Sequence, residues 1–76
     1  MTGIPDVPGD RVVKALRKAG WELLRTKGSH VILGHKDFPQ KLILVPVHGG
    51  KSLTRGTLAR ILKEAGLSPE EFKRLV

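Results

Sequence analysis

Between Trp21 and Pro46 the chain alternates short extended runs with turn-forming segments, and neither segment is long enough to hold a crossover. Parallel neighbours need a connection of a dozen or more residues, so runs joined this tightly pair antiparallel. Trp21-Glu22-Leu23-Leu24-Arg25-Thr26 is partly alternating and bounded by Gly20 and Gly28, which predicts a strand with Trp21 and Leu23 on one face. His30-Val31-Ile32-Leu33-Gly34-His35 is apolar and β-branched, and Lys36-Asp37-Phe38-Pro39-Gln40 has turn composition. Lys41-Leu42-Ile43-Leu44-Val45 gives a third strand, ended by Pro46, which has no N–H to donate to a ladder. The product is a three-stranded meander. At its first turn Gly28 permits the positive φ of a two-residue hairpin, so Lys27-Gly28 or Gly28-Ser29 reverses the chain and leaves His30 at a rigid place on the next strand.

Helical patterning flanks these strands. Residues 1–8 contain Pro5 and Pro8 without periodicity and read as an extended lead-in. From Gly9-Asp10 onward Val12, Val13, Leu16 and Ala19 recur at helical spacing, with Arg11, Lys14, Arg17 and Lys18 mostly on the other side. Asp10 suits the N-cap or first turn of this helix, and Gly20 suits its stop. After the loop Val47-His48-Gly49-Gly50-Lys51, Thr54 is placed to cap a second helix whose Leu58, Ile61, Leu62 and Ala65 form one stripe ending at Gly66. Ser68-Pro69-Glu70-Glu71 spells a capping box with proline in the first helical position. Leu67 is placed to staple onto Phe72, so a short last helix runs on towards Val76. The 76 residues make one α+β domain, 1–76, with the two main helices on one face of the sheet and the other face open.

Without cysteine there is no disulfide framework and no thiolate metal site, which favours a reducing cytoplasm. No apolar run approaches the roughly 20 residues of a membrane span, and the first residues lack a signal-peptide pattern. Fourteen Lys and Arg face seven Asp and Glu, for a formal charge of +7. From Leu23 to Lys63 the basic residues Arg25, Lys27, Lys36, Lys41, Lys51, Arg55, Arg60 and Lys63 meet only one acid, Asp37, and all three histidines lie in this stretch. A field of that sign attracts polyanions, with nucleic acid as the leading class. Aromatic residues are limited to Trp21, Phe38 and Phe72, so phosphate and sugar contacts fit better than a platform of stacked bases.

His30 and His35 stand an odd number of residues apart on one strand and point to opposite faces unless a bulge intervenes, and His48 lies on a distant loop. A zinc site is therefore not expected, nor any other cofactor. Metal-free acid–base chemistry on RNA is a second option, because imidazole accepts and donates protons near neutrality. His30 is the candidate proton carrier. Lys27, His48, Lys51 and the paired backbone amides of Gly49 and Gly50 are candidates for phosphate contact. Residue types alone also suit a blander assignment, since a strand histidine is more often a packed or surface residue than a catalyst.

Five segments, in this order, carry a family likeness: Ala15-Leu16-Arg17-Lys18-Ala19-Gly20-Trp21, Lys27-Gly28-Ser29-His30, Val45-Pro46-Val47-His48-Gly49-Gly50-Lys51, Gly56-Thr57-Leu58 and Ile61-Leu62-Lys63-Glu64-Ala65-Gly66-Leu67. Together they resemble the HicA toxin family of bacterial and archaeal toxin–antitoxin systems, over nearly the whole chain from Val7 to Phe72. The resemblance implies a double-stranded-RNA-binding-domain-like α-β-β-β-α fold. It further implies an mRNA interferase, the toxin of a type II system, that arrests translation until a HicB antitoxin neutralises it. The histidine of the family's Gly-Ser-His motif is catalytic, which falls here on His30, with Gly28 and Ser29 joining Lys27 as RNA contacts. The His-Gly-Gly motif falls on His48-Gly49-Gly50, with a structural or RNA-contacting role. His35 receives no role. Two rivals explain the charge as well: a non-catalytic RNA-binding module of the same fold, and an interaction domain that meets an acidic protein.

Overall fold

The structure, a computed structural model, describes residues 6–76; most of the expected lead-in, residues 1–5, lies outside them. In chain order the elements are α1 (Gly9–Lys18), β1 (Glu22–Lys27), β2 (His30–His35), β3 (Phe38–Pro46), α2 (Arg55–Ala65) and α3 (Pro69–Leu75). The strands form one antiparallel sheet in the order β1-β2-β3, which gives the expected α+β, α-β-β-β-α architecture with a short third helix.

Alternation along β2 and β3 assigns the faces. Val31, Leu33, Ile43 and Val45 are buried against Val12, Val13, Ala15 and Leu16 of α1, Leu58, Ile61 and Leu62 of α2, and Phe72 of α3. Ile32, Gly34, Leu42 and Leu44 alternate with them and belong to the open face. Leu42 and Leu44 are 52% and 43% exposed there, whereas Ile32, in the middle strand, is shielded by its neighbours and buried.

Helix ends follow local chemistry. Gly20 takes φ 103°, its N–H donates to the Arg17 carbonyl at 3.1 Å and the Trp21 N–H to the Leu16 carbonyl at 3.0 Å, a Schellman closure of α1. Asp10 sits in the first turn of α1, but the cap position is held by Pro8, whose carbonyl accepts from the Arg11 and Val12 amides. Thr54 caps α2 by accepting from the Thr57 N–H at 3.2 Å. The Ser68–Glu71 capping box of α3 is complete, and Phe72 enters the core cluster with Leu67 packed against it.

The described end of the lead-in is extended at Pro8, as expected, and anchored: Val7 is buried, its carbonyl accepts from the Leu53 N–H at 3.0 Å, and Pro8 bridges Ser52. Two expectations need correction. The second turn shrinks to Lys36-Asp37 because β3 starts at Phe38. The register slips there, with Gly34 opposite Leu42 but His35 opposite Phe38. On β1 a bulge between Leu23 and Arg25 adds Leu24 to the open face, where it lies over Gly34. Trp21 precedes this strand and is buried; Leu23, opposite the buried Leu33, shares its face as expected but stays 42% exposed at the rim.

Candidate functional site

Lys27 and His30 are directly opposed across the first hairpin, so Gly28 and Ser29 form the two-residue turn between them, with Gly28 at φ 60°. On its other side His30 pairs with Pro46, the last residue of β3. The residue is exposed and stands on the open face, its backbone held by strands on both flanks. Lys27 is exposed beside it.

The second expected segment is fastened to the first. The Val47 N–H donates to the Ser29 carbonyl at 2.7 Å, so the loop leaves β3 alongside the Gly28-Ser29 turn. His48, Gly49, Gly50 and Lys51 form an exposed turn closed by the Lys51 N–H on the His48 carbonyl at 3.2 Å, with Gly49 at φ 62°. Gly50 has neither positive φ nor a crowding neighbour, so its backbone is bare to the solvent for no reason internal to the fold.

The start of α1 supports the same spot from behind. A Cβ on Gly9 would collide with the Pro46 carbonyl oxygen and come within 3.1 Å of the Val47 Cα, so only glycine lets the helix abut the end of β3. Pro46 is the partner of His30, which couples the helix start to the position of the ring.

A groove of about 400 Å³ opens next to His30, between the open face of β3 and the outer flank of α2. Leu42, Leu44 and Pro46 form its strand side, and Thr57, Arg60 and Glu64 its helix side. Arg60 Nη1 contacts both Glu64 carboxylate oxygens at 3.4 Å. His48 and Lys51 do not line this groove. The three helix residues were missed by sequence reasoning, although their spacing of three and four is the signal of one helical face, next to the apolar stripe.

His35 belongs elsewhere. It stands about 17 Å along β2 from His30, at roughly 3.3 Å per residue. Its ring packs edge-on to Trp21 and tilted against Phe38, each at 5.1 Å between centroids. Its Nδ1 accepts the Asp37 N–H at 3.1 Å, which places any ring proton of the neutral form on Nε2, towards Gly20. Among the described residues no three His, Asp or Glu side chains converge as metal ligands.

The model of the family described as the HicA toxin of bacterial toxin–antitoxin matches residues 9–67, from the first residue of α1 to the residue after the Gly66 stop of α2. No curated protein matches the chain. The matched span contains the hairpin turn, the glycine loop and the whole groove, and the chain belongs to the HicA toxin family.

Proposed function

We propose that this toxin is an endoribonuclease that cleaves mRNA, with His30 as its proton carrier and no metal in the reaction. One observation carries the reading: an exposed histidine, its backbone held between two strands, stands where the Gly28-Ser29 turn and the His48-Gly49-Gly50 loop are tied together. As the ribose 2′-oxygen bonds to phosphorus, the imidazole takes the 2′-hydroxyl proton. It returns that proton to the 5′-oxygen as the P–O5′ bond breaks, leaving a 2′,3′-cyclic phosphate and a 5′-hydroxyl. A proton carrier placed in this way supplies about 10²–10⁴-fold in rate. Lys27 and the bare amides around Gly50 offset phosphate charge nearby.

A family of toxin–antitoxin systems implies an antitoxin as partner. A HicB-like antitoxin with an acidic surface, laid over the open face, buries His30 and neutralises its basic surroundings; the exposed Leu24, Leu42 and Leu44 add apolar contact there. A complex that forms and still cleaves RNA would reject this placement.

The test uses purified protein, labelled RNA and a chelator. Wild type should cut, and His30→Ala should fold normally, spare the RNA and leave growth unimpaired on expression. A 2′-deoxy nucleotide at the cut site should block scission, and the 5′ fragment should end in a cyclic phosphate. RNA retention without scission by wild type would identify a binding module instead; equal cleavage by His30→Ala would remove His30 from the mechanism.

A further inference from the structure

The geometry points to Arg60 as the cation that holds the scissile phosphate beside His30, with Glu64 as the residue that positions it. The inference rests on the endoribonuclease reading above and extends it to a second residue of the same site.

Among the described residues, Arg60 is the one Lys or Arg lining the groove that also contains His30. Lys27 stands on the neighbouring strand, and Lys51 follows the loop away towards the Ser52 bridge with Pro8. A phosphodiester under attack at phosphorus gains negative charge on its non-bridging oxygens. A guanidinium fork matches that pair of oxygens better than an ammonium does. Leu42, Leu44 and Pro46 form the opposite, apolar wall, which leaves Arg60 without a competing cation across the groove.

The Arg60–Glu64 pair is poorly explained as a stabilising device. Both contacts are long and made through Nη1 alone, and the two side chains are 52% and 41% exposed. An exposed pair at this spacing stabilises a helix only weakly. What the pairing does is keep the guanidinium on the groove wall through Nη1, with Nε and Nη2 free of hydrogen bonds among the described residues. Thr57, one turn earlier on the same flank, closes the groove on that side.

Cleavage of a short RNA by the full chain tests the assignment. Arg60→Ala should lower kcat about 10²–10³-fold, the usual effect of removing one donor from a developing oxyanion, while changing KM much less. Arg60→Lys should restore part of that loss. Glu64→Gln should lower kcat severalfold without raising KM, and adding it to Arg60→Ala should change nothing further, because it acts through Arg60. Circular dichroism of each variant should match wild type, since both positions are on the solvent side of α2. Cleavage by Arg60→Ala within about threefold of wild type, or a loss confined to KM, would overturn the assignment and leave the enzyme reading intact. Failure of wild type to cleave, or full activity of His30→Ala, would overturn the enzyme reading and this assignment with it.

Discussion

The Val47 N–H donates to the Ser29 carbonyl at 2.7 Å, and this one backbone bond ties the turn that presents His30 to the loop that carries His48, Gly49 and Gly50. Ser29 makes it with its main chain, and its hydroxyl has no hydrogen-bond partner among the described residues. Removing that hydroxyl therefore leaves the fastening in place.

Ser29→Ala separates a structural from an RNA-contacting role. The urea midpoint should shift by no more than the equivalent of about 0.5 kcal/mol, as for an ordinary surface change. RNA affinity, measured with the inactive His30→Ala chain as background, should fall. Unchanged affinity would leave Ser29 only its carbonyl.

Gly9→Ala has an informative sign. In an unobstructed helix, alanine is more favourable than glycine by about 0.8–1.0 kcal/mol. Here the new methyl meets the Pro46 carbonyl, a backbone atom that cannot swing aside, so the variant should lose about 1–3 kcal/mol instead. Denaturant unfolding decides between gain and loss. Since Pro46 pairs with His30, RNA cleavage should fall more than the loss of folded protein accounts for.

Gly20 and His35 form a second such couple at the far end of β2. Gly20 holds φ 103°, and a Cβ there would lie 2.8 Å from His35 Nε2. Gly20→Ala should cost about 1–3 kcal/mol from backbone strain and contact together. In a His35→Ala background the contact is gone and only the strain remains, so the same substitution should cost less. Equal costs in the two backgrounds, by urea unfolding, would show that the imidazole does not press on this turn.

These glycines mark where the sequence stops being legible. The apolar runs of β2 and β3, the stripe on α2 and the Ser68–Glu71 box are local patterns, and each appears in the structure as a strand, a buried helix face or a cap. Gly9 against Pro46 and Gly20 against His35 are contacts between residues distant in sequence, and a single chain carries no local trace of them. The bulge at Leu24 is hidden for the same reason, since it exists only as a mismatch with β2. His30 was readable from a turn and a motif, whereas Thr57, Arg60 and Glu64 enter the site only once α2 is laid along β3. Phe72 shows the converse: it lies beyond the family match, yet its staple spacing after Leu67 anticipates a side chain buried completely.

The capping box gives the stability of α3 a dependence on pH. The Ser68 backbone N–H donates to Glu71 Oε1 at 2.9 Å, and the Ser68 hydroxyl adds to it, holding the Glu71 carboxyl below the usual carboxylate range. The folded chain thus binds this proton less readily than the unfolded one. The contribution is complete above the unfolded glutamate pKa, about 4.3, and is lost as pH falls through the lower folded value. Phe72, the next residue, carries the loss to the core, where it is fully buried. Glutamine keeps the acceptor of the box without the titration, so Glu71→Gln should unfold near the wild-type urea midpoint at neutral pH and show a shallower decline with acid. Parallel declines for the two proteins between about pH 5 and pH 3 would show that Glu71 does not contribute to acid unfolding.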